Sequence, residues 1–188
     1  MKNRNTIKDM INPANILTSF RIVGAAAIVF IKPLTVPFFV IYTLAGVTDA
    51  IDGFVARKMG TQSDMGAKLD SVADLVFYSV MMIKILPILI KKLPFNIWII
   101  VAAVLLLRIA AYVTAALKYR RFAAVHTYLN KVTGAGVFLI PYFLGTPAAA
   151  VFCYCVSALG FISSAEELVM HLLSKTYDPG MKSVLKLL

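Results

Sequence analysis

Residues 48–76 read TDAIDGFVARKMGTQSDMGAKLDSVADLV. Asp49, Asp52, Asp70 and Asp74 fall within twenty-six residues here, although the whole chain has only nine acidic side chains. Both flanks are apolar enough to read as membrane helix. A carboxylate in hydrocarbon costs ~2.5–3.5 kcal/mol or more, and four so close together repel one another. Something positive must sit among them, and divalent cations are the simplest candidates. The stretch therefore predicts a metal-dependent site built into a membrane protein.

Composition agrees. Of 188 residues, 60% are hydrophobic and 15% charged, against about 45–50% apolar in ordinary globular chains. The chain reads as an all-α integral membrane protein with one domain over residues 1–188. Its net charge of +10 would suit nucleic acid, but the cations lie at helix ends and loops. That distribution excludes nucleic acid as partner and suits anionic lipid headgroups. Cys153 and Cys155 are two apart in an apolar run, so a helix points them to different sides. They read as lipid-facing or core residues, not as a redox or metal pair. No cleavable signal is expected.

Residues 1–13 suit a short interfacial helix with Ile7, Met10 and Ile11 on one face. Six spans follow, at about 15–31, 35–56, 66–90, 94–117, 131–145 (starting earlier, given its shortness) and 147–173, and residues 174–188 form a tail. Breakers fall at or near their ends: Pro33, Pro37, Gly60, Pro94 and Gly145-Thr146-Pro147. The architecture predicted is a six-transmembrane-helix bundle. Lys2, Arg4, Lys8, Arg21, Arg57, Lys58, Lys68, Lys118, Arg120, Arg121, Lys131, Lys175, Lys182 and Lys186 gather on one side. Only Lys32, Lys91 and Lys92 lie on the other. Both termini and the aspartate cluster are then expected at the cytoplasmic face of the plasma membrane.

Asp49 and Asp52 are i,i+3, and Asp70 and Asp74 are i,i+4, so each pair shares a helical face. A tight turn near Gly60 makes the two helices antiparallel neighbours. The facing pairs could converge on two hard cations about 3.5–4 Å apart, able to clamp a diphosphate. Gly53, Ala56 and Gly66 leave room for a ligand. Arg57 could pair with phosphate or with an aspartate.

The pattern Asp49-x2-Asp52-Gly53-x2-Ala56-Arg57-x8-Gly66-x3-Asp70-x3-Asp74 resembles, at every position, the signature of the CDP-alcohol phosphotransferase family. The segment from Asn12 to Thr18, followed by Arg21, is similar to the start of its bacterial phospholipid-synthesising members. The resemblance implies transfer of a substituted phosphate from a CDP-linked donor, commonly CDP-diacylglycerol, to a small or lipid alcohol with release of CMP. It implies two Mg or Mn ions on Asp49, Asp52, Asp70 and Asp74, with Asp74 also the general base. It implies a nucleotide bordered by Asp52, Gly53, Ala56, Arg57 and Gly66. Relatives are often homodimers.

Arg108 in the fourth span reads either as a snorkelling residue or as a contact for an anionic acceptor group. Lys118, Arg120 and Arg121 read as a positive-inside anchor or as an acceptor-binding run. Lys131, near Thr133, suits a phosphate contact, and His126 a surface position. Glu166 and Glu167 read as interfacial and paired with basic residues, and Asp64 as a helix cap. Small-residue runs at Gly24–Ala27 and Ala148–Ala150 permit close helix contact. Phosphatidylglycerophosphate synthases commonly carry Arg-Glu in the fourth span and Lys-x-Lys-Thr before the fifth. Here stand Arg108-Ile109 and Asn130-Lys131-Val132-Thr133, so the acceptor stays open, with the basic residues favouring an anionic one.

A different class of reading is a cation transporter or channel using the aspartates as an ion site. Such sites sit near midplane on broken helices, often in repeated halves. This cluster is confined to one helix pair, and the chain has no repeat.

Overall fold

The computed structural model describes residues 13–59, 64–120, 127–174 and 183–184, with the side chains of 13–16, 50, 52–59, 64, 65, 67 and 68 excepted. The described residues are all-α: α1 (Pro13–Phe30), α2 (Val36–Met59), α3 (Asp64–Lys92), α4 (Phe95–Tyr119), α5 (Tyr128–Phe143) and α6 (Ala149–Leu173). The six expected spans correspond to these six helices. Three are long and apolar enough to cross a membrane: Leu69–Lys92, Phe95–Tyr119 and Ala149–Leu173. Leu17–Phe30 and Val36–Asp49 are shorter apolar helices. The expected interfacial segment lies almost wholly outside the described residues, as does most of the tail.

Local chemistry sets the boundaries. Pro13 opens α1, where its fixed φ and missing N–H cost nothing. After Pro33 the chain turns through Leu34 at φ 62°, and Thr35 Oγ1 donates to the Lys32 carbonyl at 2.8 Å. Asp64 is the first residue of α3. Leu93 cannot continue that helix because Pro94 follows; Pro94 instead caps α4 in an extended conformation. Arg120 ends α4 at φ 53°, the left-handed position glycine usually takes. Thr127 caps α5 by accepting from the Asn130 N–H.

The chain divides into two compact units, Met1–Lys91 and Lys92–Leu188. In the first, α1 buries Thr18, Arg21, Ala25 and Ile28 on one helical stripe. Gly24 brings α1 against α2: a Cβ there would stand 3.2 Å from Ile41 Cγ2. On α2 the buried stripe is Phe38, Tyr42 and Ala45. Tyr42 stacks on both Phe38 and Phe77, each at 5.7 Å, tying α2 to α3.

In the second unit α4 and α5 both pack on α6. The α6 stripe runs Cys153, Val156, Gly160, Ser163, Ser164, Glu167, Met170 and His171. Cys153 is buried and Cys155 exposed, and both are free thiols. Gly136 lets α5 meet α6 closely, since a Cβ would fall 3.0 Å from Val156 Cγ2. Gly136→Leu is therefore expected to cost about 1–3 kcal/mol by overpacking, read as a lower melting temperature in detergent. An unchanged melt would place the contact elsewhere.

Helix C-termini inside apolar surroundings leave carbonyls that need donors. Three lysines supply them within their own units. Lys84 Nζ donates to Ile31 O at 3.1 Å, just beyond the end of α1. Lys92 Nζ donates to Leu144 O beyond α5. Lys118 Nζ donates to His171 O at 2.9 Å and Leu172 O at 2.8 Å in the last turn of α6. Each places a cation at the negative end of a helix dipole.

Candidate metal centre

The stripe that buries apolar residues in the first unit carries carboxylates further along. Asp49 continues the Phe38–Tyr42–Ala45 register of α2. On α3, Asp70 and Asp74 flank Ala73, which is fully buried. One oxygen from each of Asp49, Asp70 and Asp74 lies within 4.8 Å of the others. The side chains are 46%, 45% and 39% exposed, so the cluster opens to solvent on one side.

Its closed side holds Arg21, only 1% exposed. Its Nη1 stands 3.0 Å from Asp49 Oδ1, 3.0 Å from Asp70 Oδ1 and 2.7 Å from Asp74 Oδ1. The positive group demanded by the aspartates is thus partly supplied by the protein. Sequence reasoning counted Arg21 only as a topological charge and as part of the amino-terminal resemblance. Its spacing from Asp49, Asp70 and Asp74 carries no local signal, because the partners are 49 and 53 residues away on α3 and on a separate helix for Asp49.

Three carboxylates against one guanidinium leave two negative charges uncompensated among the described residues. Each carboxylate keeps a second oxygen. An all-oxygen, anionic donor set suits hard cations such as Mg or Mn and disfavours softer metals. The residues present therefore fit a divalent ion. Gly66, half-buried, lies in the first turn of α3. The side chains of Asp52, Ala56 and Arg57, and the surroundings of Gly53, lie outside the described residues; all four positions are on α2.

The second unit holds a buried polar network. Arg108 Nη1 donates to Glu167 Oε2 at 3.2 Å and Nη2 to Asn130 Oδ1 at 2.6 Å. Asn130 Nδ2 reaches Glu167 Oε2 at 3.3 Å, and Ser163 Oγ donates to Asn130 Oδ1 at 2.6 Å. Glu167 is fully buried and Arg108 27% exposed. Glu167 is thus an internal partner of Arg108, whereas Glu166 accepts from Ser183 Oγ and the Val184 N–H. Lys131 is exposed in the first turn of α5. Arg121 and His126 lie outside the described residues.

Because Lys118 holds α6 carbonyls, Lys118→Met is expected to lower stability by about 1 kcal/mol, read as a lower melting temperature in detergent.

A family model for CDP-alcohol phosphatidyltransferase matches residues 11–172. The chain belongs to the CDP-alcohol phosphatidyltransferase family. Over 75 residues it is 44% identical to the CDP-diacylglycerol–serine O-phosphatidyltransferase of Methanocaldococcus jannaschii, a stretch covering 40% of this chain and 32% of that protein. Over 77 residues it is 39% identical to the CDP-diacylglycerol–glycerol-3-phosphate 3-phosphatidyltransferase of Escherichia coli strain K12, covering 38% and 42%. The protein of that description from Shigella flexneri serotype 5b gives the same figures. The chain thus spans less than half the length of these curated relatives. No solved structure matches it. Family membership accounts for the aspartate motif, which falls wholly inside the matched residues.

Proposed function

We propose that this family member is a membrane phosphatidyltransferase. It moves a phosphatidyl group from CDP-diacylglycerol to an alcohol and releases CMP. The observation that supports this reading best is the convergence of the Asp49, Asp70 and Asp74 oxygens within 4.8 Å, open on one side.

Asp49, Asp52, Asp70 and Asp74 would hold two divalent ions, which when bound neutralise the diphosphate and polarise its oxygens. Asp74 takes the proton from the acceptor hydroxyl. The alcohol oxygen then forms a bond to the phosphorus bearing the lipid, and the bond from that phosphorus to the CMP oxygen breaks. Gly53, Ala56 and Gly66 give the nucleotide close access to backbone, and Arg57 pairs with phosphate. The basic residues Arg108, Lys118, Arg121 and Lys131 favour an anionic acceptor. The cytoplasmic face, where CDP-linked donors are available, is the side favoured by the distribution of Lys and Arg.

The test is CMP release by detergent-purified protein given CDP-diacylglycerol, Mg2+ or Mn2+, and a panel including glycerol 3-phosphate, serine, phosphatidylglycerol and an amino alcohol. Metal-dependent release with one alcohol is expected. Nucleotide binding without release for any alcohol would mean a different CDP-linked donor. Neither binding nor release would sink the reading.

A further inference from the structure

The cation buried behind the aspartates has a consequence for the metal-free protein. Three carboxylates whose oxygens lie within 4.8 Å of one another repel, and without a counter-charge the helices carrying them would be pushed apart. Arg21 projects from α1 with one nitrogen against an oxygen of each carboxylate, at 3.0, 3.0 and 2.7 Å. It is 1% exposed, while the carboxylates are 39–46% exposed. The guanidinium thus approaches from the packed side and leaves the solvent side to another cation. A guanidinium stays charged at any physiological pH, so this counter-charge is permanent.

We propose that Arg21 is a resident counter-cation of the metal site. It holds Asp49, Asp70 and Asp74 converged when no metal is bound, and by offsetting one of their charges it weakens metal binding so that the ions can exchange. Arg21 is a positioning residue, since it acts through the aspartates and the outer face belongs to metal and substrate. The inference rests on the metal reading above and adds to it a role for the protein's own cation.

Two variants test it without recourse to activity. Wild type, Arg21→Gln and Arg21→Lys are melted in detergent, each in EDTA and in saturating Mn2+, and Mn2+ affinity is measured by electron paramagnetic resonance. In EDTA, Arg21→Gln is expected to melt about 5 °C or more below wild type. In Mn2+ most of that gap closes, because the metal supplies the missing charge. A larger metal-induced shift is by linkage tighter binding, so the Mn2+ dissociation constant of Arg21→Gln should fall about tenfold. Arg21→Lys, which keeps the charge, should track wild type more closely.

Should Arg21→Gln survive only in Mn2+, unfolding on chelation is the same result in stronger form. Should it survive in neither condition, Arg21→Lys carries the comparison with the same signs at smaller size. An equal loss with and without Mn2+, with unchanged affinity, would overturn the proposal and leave Arg21 a packing residue. No Mn2+ shift in wild type would overturn the metal reading itself and the proposal with it.

Discussion

Asp74→Asn is expected to lower the rate of CMP release by at least about a thousandfold while CDP binding survives largely intact. The substitution keeps the shape of the side chain and an oxygen that can still accept from Arg21, which stands 2.7 Å from Asp74 in the native site. It removes the negative charge and the capacity to take a proton. Loss of a positioned base alone accounts for about 10²–10⁴ in rate; a weakened metal site adds to it. Asp49 and Asp70 keep their contacts with Arg21, and the residues proposed to border the nucleotide, Asp52, Gly53, Ala56, Arg57 and Gly66, are untouched. Parallel measurements of CMP release, CDP binding and the thermal melt separate these effects. Undiminished turnover would remove Asp74 as base, and a collapsed melt would make it a structural residue first.

Glu167→Ala is expected to destabilise the protein by roughly 2–4 kcal/mol. Breaking a buried ion pair by removing one partner costs about 3–5 kcal/mol, because the survivor stays charged in poor solvent. The lower range applies because Arg108 is 27% exposed and retains some hydration. Arg108 also keeps its bond to Asn130 Oδ1. In a domain of this size the melting temperature should fall by roughly 5–15 °C. Replacing both partners with apolar residues, Arg108→Met with Glu167→Leu, should recover much of that loss, since no orphaned charge remains. Strictly additive losses would show that the two side chains are not energetically coupled.

Much of this protein can be read along the chain. The six helices follow from apolar runs punctuated by Pro33, Pro94 and the Gly145-Thr146-Pro147 turn. These are local preferences: proline disfavours helix in the residue before it, although Pro87 and Pro141 are accommodated inside α3 and α5, and an apolar run of membrane length forms a helix whatever its neighbours are. The Asp70 and Asp74 pair was equally legible, because i,i+4 spacing puts side chains on one helical face. The free state of Cys153 and Cys155 follows from the same geometry.

The partners of the charges were not legible. Charge demanded a cation among the aspartates, and the sequence alone suggested metal or Arg57, whereas folding brings Arg21 from α1 to three of them. Glu167, read as interfacial and paired with basic residues, does pair with a basic residue, but it is fully buried and the partner is Arg108, 59 residues away. Lys118, read as an anchor or an acceptor contact, lies on carbonyls of α6, and Lys84 finds the end of α1. The spacing of residues along one helix settles which side chains share a face, so the sequence by itself determined the helices and the acidic cluster. Which faces then meet depends on the rotation and packing of separate helices, summed over many weak contacts. A salt bridge acts over a few ångströms, so only the tertiary structure decided which cation answers each carboxylate.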